Sequence, residues 1–152
     1  ILMDHGISYN GQFMYFNNAR FEDCPGPCET RIGVAQKEND STYTMLENST
    51  QIMQSVNDTN YKNYAPAVTK DELELYYTRF LKGPITQNSV SEICVVVRNS
   101  PTDNFSVPQV LFSGSILNSF IEAPTITTDK QIMYYHKKID GIYRIMMRTR
   151  DQ

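Results

Sequence analysis

Tryptophan is absent from this 152-residue chain, histidine occurs twice, and cysteine three times. No apolar run approaches the roughly 20 residues of a bilayer-spanning helix, so the sequence offers no transmembrane helix. No secretory leader pattern opens the chain, which begins Ile1-Leu2-Met3. A mature secreted protein reads this way, and so does an ectodomain whose membrane tether lies outside this sequence. An excess of basic charge is also missing. The net charge is −3 and the pI about 5.3, which argues against a nucleic-acid partner. There is no G-x-S-x-G, no phosphate-binding glycine loop and no H-E-x-x-H. The stretches around Asp40 and Asp58 lack the acidic spacing and glycine of a calcium loop. A closed zinc site needs about four ligands, which three cysteines and two distant histidines do not supply. No metal and no cofactor is expected, and no catalytic residue is marked.

What is present is a globular composition, 40% hydrophobic and 20% charged, over a length that fits a single domain of residues 1–152. Ten tyrosines, seven phenylalanines and seven methionines stand out. Cys24 and Cys28 lie in "CPGPC", whose Pro-Gly-Pro favours a tight reversal closed by a structural disulfide. Cys94, in "EICVVV", reads as a small core residue. Four N-x-S/T sequons, at Asn39, Asn48, Asn57 and Asn104, add to the expected disulfide. Together they point to an extracytoplasmic location: periplasmic, secreted or at the cell surface.

Along the chain, Gly11–Asn18 and Thr30–Lys37 read as strands joined through the cysteine loop. Ser41–Val56 has near-helical apolar spacing. Thr69–Gly83 is the strongest helix pattern. Thr69 is its N-cap, Glu72 completes a capping box, and Tyr76 and Tyr77 lie on its apolar stripe. Ser91–Asn99 reads as a strand buried on both faces, and Val107–Gly114 as an edge strand beginning near Pro108. Ser115–Pro124 reads as a connector. No internal repeat is visible. The expected fold is therefore α+β: an antiparallel sheet of about five strands, with one or two helices inserted between the second and third. That element order, and the order alone, resembles a PAS or extracytoplasmic Cache-type sensor domain. A small half-barrel wrapped on a helix is the competing topology.

The last two strands form a hairpin over Asp140-Gly141, and a two-residue turn fixes their register. His136 should face Ile145, Tyr134 should face Met147, and Lys137 should face Arg144. His136 then lies on the more apolar face, at a core or its rim, where it is a candidate for ligand contact or pH sensing. Tyr76 and Tyr77 on the helix could meet Tyr134, Tyr143 and Met147 on the sheet, lining a site for a small amphipathic ligand. Lys137, Arg144 and Arg148 mark the opposite face as a surface for an acidic partner or an anion.

These features point to a non-enzymatic sensory or regulatory domain. It would bind a small ligand or respond to pH, and signal through a protein partner or a membrane helix. The alternative is a secreted or surface interaction protein, such as an adhesin or structural subunit, that uses a sheet edge such as Val107–Phe112.

Overall fold

The computed structural model describes residues 1–23 and 27–150. The expected Cys24–Cys28 bond falls on Cys24, outside the described residues. In chain order the elements are β1 (Leu2–Ile7), β2 (Phe13–Arg20), β3 (Glu29–Asn39), β4 (Thr42–Met45), α1 (Ser49–Ile52), β5 (Tyr61–Val68) and β6 (Glu74–Leu81). They continue with β7 (Val90–Val97), β8 (Gln109–Ser115), β9 (Ile121–Ile126), β10 (Ile132–Ile139) and β11 (Ile142–Thr149). Three separate antiparallel sheets result: β1-β2-β3-β4, β5-β6-β7-β8 and β9-β10-β11. This overturns the α+β expectation and its half-barrel rival, because the four-residue α1 is the single helix among the described residues.

The residues read as a capped helix show why. Thr69 and Asp71 do form a local hydrogen-bonded motif, but it closes a turn and not a helix. Glu72 sits at φ 60°, where a right-handed helix cannot begin. After Leu73, the eight residues "ELYYTRFL" form β6, the second strand of a sheet covered on both faces. Burial on both faces gives a near-continuous apolar run, which mimics a helical stripe in the sequence. Ser41–Val56 similarly resolves into β4, the short α1 and a following loop; Ile52 of α1 and Met53 and Val56 of the loop are buried in the core with the first sheet's Tyr15, Ile32 and Val34. Ser115–Pro124, read as a connector, ends inside β9.

The sheets also reveal a threefold repeat. The first strand of each leads into the same turn, starting at Ser8, Thr69 and Thr127. In each turn the hydroxyl donates to the side-chain oxygen two residues on: Asn10, Asp71 and Asp129 respectively. That oxygen also accepts from the backbone N–H of Gln12, Leu73 or Gln131. The starting hydroxyl in turn accepts from the N–H of Phe13, Glu74 or Ile132. The fourth residue of each turn, Gly11, Glu72 or Lys130, has φ between 60° and 71°. The first strands carry an equivalent irregularity, with positive φ at Asp4, Ala65 and Ala123. Near the end of the third strand, or just past it, a basic residue, Lys37, Arg98 or Arg150, donates its N–H to the carbonyl of Gln12, Leu73 or Gln131.

The sheets stack face to face in order. β5 packs on β1, β2 and β3, and β9 packs on β5, β6 and β7. Gly6 allows the first of these approaches, since a Cβ there would lie 2.7 Å from the carbonyl oxygen of Pro66. Two cores fill the gaps. Tyr15, Ile32, Val34, Leu75, Tyr77, Cys94 and Val96 join the first and second sheets. Tyr76, Ile93, Val95, Ile121 and Met133 join the second and third.

Candidate functional site

Strand alternation builds a cavity of about 420 Å³ between the second and third sheets. β6 turns Glu74 and Tyr76 toward the third sheet, and β7 adds their cross-strand partners Val97 and Val95. A bulge in β8 lets the successive residues Leu111 and Phe112 both reach the cavity. Ile126, Met133 and Arg148 close it from the third sheet, with Thr149 and Arg150 at the mouth. The floor is apolar and the rim is charged.

Glu74 anchors the rim. Its carboxylate accepts from Tyr76 Oη at 2.5 Å, Lys130 Nζ at 2.9 Å and Arg150 Nη1 at 3.0 Å. Burial pushes this carboxyl up, but the bonds from Lys130 and Tyr76 and the charge of Arg150 outweigh it and hold the pKa below the usual value. Lys130 also pairs with Asp71 at 2.7 Å. Burial, and then the bond to Glu74, push the Tyr76 phenol up, so it remains a donor. Arg148 is different. Its guanidinium lies 4.9 Å from the Phe112 ring centre, and among the described residues no carboxylate lies within 4.0 Å of it. A stacked guanidinium above an apolar floor can take the anionic end of a ligand whose body is apolar.

A second cavity of about 350 Å³ draws Asp4, Lys62, Tyr64 and Glu122 together from three first strands. Tyr64 already donates to Glu122 at 3.1 Å. Asn17 and Thr30 also line this cavity, and Asn17 Oδ1 and Thr30 Oγ1 are buried without a hydrogen-bond partner among the described residues.

The expected aromatic lining does not assemble as a unit. Tyr76 lines the inter-sheet cavity, but it does so from a strand. Tyr77, one residue on, points the other way into the core with the first sheet. The hairpin register is the expected one at every pair from Ile132–Thr149 to Ile139–Ile142. However, the face that carries Tyr134, His136, Tyr143, Ile145 and Met147 is open, and the third sheet packs inward through Met133 and Tyr135. His136 is exposed and not in a core. Of the three basic candidates, Arg148 reaches the cavity, Arg144 is exposed and Lys137 is half-buried on the inward side. Sequence reasoning missed Glu74, Arg98 and Arg150. The signal available was the recurring Ser/Thr-x-Asn/Asp turn, each copy followed by a paired aromatic, at Tyr15-Phe16, Tyr76-Tyr77 and Tyr134-Tyr135.

Small four-stranded or nearly four-stranded meanders, stacked in sequence with their first strands adjacent, define the arrangement of successive blades in a β-propeller. No protein-family model and no curated protein matches the sequence. Among solved structures, the chain is similar to a Mycobacterium tuberculosis puromycin-hydrolyzing peptidase. The TM-score is 0.55 and the identity 13%, over 99% of this chain and 22% of that one. It is also similar to a thermostable family-43 glycoside hydrolase, with a TM-score of 0.51 and 15% identity, over 99% of this chain and 59% of that one. The chain thus spans a minor part of the first protein and little more than half of the second. At such identities the likeness is one of fold.

Proposed function

We propose that this chain is a non-catalytic, extracytoplasmic binding module that takes a small amphipathic anion between its second and third sheets. The observation that carries the reading is Arg148, over the Phe112 ring beside the apolar floor of the cavity and facing no carboxylate among the described residues. The other charged groups at the rim are engaged with one another, which suits them to hold two sheets in place more than to move protons. Occupancy would brace the contact between the sheets, and a protein partner could read that change. The test is thermal unfolding with a panel of aryl and medium-chain carboxylates and their uncharged amides. Carboxylates should raise the melting temperature, and Arg148→Gln should weaken their binding about tenfold, the loss expected of one charge-assisted contact. Equal binding of the amides, or no response to any carboxylate, would remove this reading.

The rival reading, a surface interaction protein, draws support from a different place than expected. The exposed apolar surface is the outer face of β10 and β11 more than the β8 edge.

A further inference from the structure

The two contacts between sheets are equivalent by the repeat, and they differ in one respect. Thr78 and Ser91 in the second sheet hold the places of Asn17 and Thr30 in the first. Where the second sheet meets the third, both hydroxyls are used. Thr78 Oγ1 accepts from the Ala123 N–H at 2.9 Å, and Ser91 Oγ from the Ile121 N–H at 3.0 Å, both on β9. Where the first sheet meets the second, the same two places are idle. Asn17 is 2% exposed and Thr30 4%, yet Asn17 Oδ1 and Thr30 Oγ1 have no hydrogen-bond partner among the described residues. Buried polar atoms are nearly always satisfied, so a pair orphaned at one of two equivalent contacts points to a partner from outside the chain. Both side chains line the cavity of about 350 Å³.

The rest of the lining fixes the chemistry of that partner. Met3, Tyr64 and Glu122 are equivalent residues of the three first strands, each just before the positive-φ position, and all three reach this cavity. Asp4 and Glu122 bring two carboxylates, and neither has a basic group within 4.0 Å among the described residues. Lys62 is the single cation among the described lining residues, and its ammonium lies over the Phe80 ring, 5.6 Å from the centre. Two carboxylates against one ammonium leave one net negative charge. Tyr64 and Phe80 meet edge to face with their centres 6.0 Å apart, and with Met3 they give the cavity an apolar wall. We propose that this cavity is a second ligand site, and that it takes a small organic monocation with a primary ammonium group and an apolar body. A primary ammonium carries three N–H donors and no acceptor, which suits the Glu122 carboxylate, Asn17 Oδ1 and Thr30 Oγ1 together. The apolar body lies along Tyr64 and Phe80. Calcium fits less well, because it takes about six to eight oxygens, and no group of three His, Cys, Asp or Glu side chains is placed to hold a metal among the described residues. This site shares no residue with the cavity beside Arg148, so it stands or falls separately from the anion reading.

The experiment is calorimetric titration of the whole chain with phenethylamine up to about 10 mM, with phenethyl alcohol and calcium chloride titrated in parallel. The amine should bind, and the alcohol, which has the same body without the charge, should bind about tenfold more weakly or not at all. Glu122→Gln keeps an acceptor for the Tyr64 hydroxyl and removes the charge, and should weaken the amine about tenfold. Asn17→Leu removes the orphaned oxygen at similar volume. It should also weaken the amine, with an unchanged far-ultraviolet circular dichroism spectrum, and Thr30→Val serves in its place if that variant misfolds. No binding of the amine overturns the proposal, as does equal binding of the alcohol. So does an affinity for the amine that both Glu122→Gln and the orphan variant leave unchanged, because the amine would then sit elsewhere. Calcium binding that Glu122→Gln abolishes, with no response to the amine, overturns it in favour of a metal site.

Discussion

Arg98 is the buried cation that pins the first two sheets together, and its removal has a calculable consequence. Its side chain is 2% exposed. Nη2 donates to the Tyr15 hydroxyl at 2.7 Å and Nε to the Glu72 carbonyl at 2.7 Å. The Glu72 carboxylate, itself 7% exposed, lies 3.9 Å away, and the guanidinium sits 4.4 Å from the Phe105 ring centre. Arg98→Met keeps the apolar stem and deletes the charge. Glu72 is then a buried carboxylate left with two neutral partners, the Tyr15 hydroxyl at 3.4 Å and the Asn10 side chain. Removing one partner of a buried pair costs about 3–5 kcal/mol, a large share of the roughly 5–15 kcal/mol that holds a domain together. In urea the midpoint should fall by about 2 M. The loss should also depend on pH. Burial already pushes the Glu72 carboxyl up while Arg98 pulls it down, so deleting Arg98 raises it further. A carboxyl whose folded pKa exceeds its unfolded one binds its proton more tightly when folded. The penalty is therefore full above the raised pKa and is relieved as pH falls through it. Urea unfolding at pH 8 and pH 5 should show the larger deficit at pH 8, and Glu72→Gln in the same chain should recover part of it. A deficit under about 1 kcal/mol, the size of an exposed ion pair, would falsify this account, as would equal deficits at the two pH values.

Three other consequences are open to measurement. Gly114→Ala places a Cβ 2.1 Å from the carbonyl oxygen of Ser119, and should cost about 1–3 kcal/mol in chemical unfolding; a neutral result would mean that the β8–β9 connection shifts freely. Burial works against the ionised Asp71, yet bonds from Lys130, Thr69 and the Leu73 N–H hold it at about 2, so the stability it supplies is present above the ordinary aspartate range and disappears as pH falls from about 4 toward 2; Asp71→Asn should flatten that part of the acid-unfolding curve, and an unchanged slope would assign it to other groups. Burial pushes the Cys94 thiol up to about 12, so it should resist a thiol reagent at pH 8 until the chain unfolds, whereas rapid labelling of the native protein at Cys94 would contradict its place in the core.

The sequons also differ from one another once the chain is folded. Asn39, Asn48 and Asn104 are exposed. Asn57 accepts from the Ile32 N–H and donates to the Ile32 carbonyl, both at 2.8 Å. Expressed through a glycosylating secretory route, the folded chain should carry sugar at the first three sites and not at Asn57; mass spectrometry showing full occupancy at Asn57 would mean that modification precedes the docking of that loop.

The sequence by itself determined the local features whose physics is local. The β10–β11 register followed from the Asp140-Gly141 turn, because a two-residue hairpin leaves no freedom in the pairing. The buried character of β7 followed from an unbroken Ile-Cys-Val-Val-Val run. Only the tertiary structure decided what each face meets. Residues 74–81 are apolar enough for a helix stripe, and they form a strand because sheets cover them on both sides. The face of Tyr134 and His136 looked like a core in the sequence and is open, since alternation assigns residues to two faces without saying which face is covered. The repeat stayed hidden because it rests on hydroxyls, amides and a positive φ that different residues can supply. Gly11, Glu72 and Lys130 share no chemistry, yet occupy one backbone position. The cavity beside Arg148 depends on two sheets meeting, and that contact is encoded in no single stretch of chain.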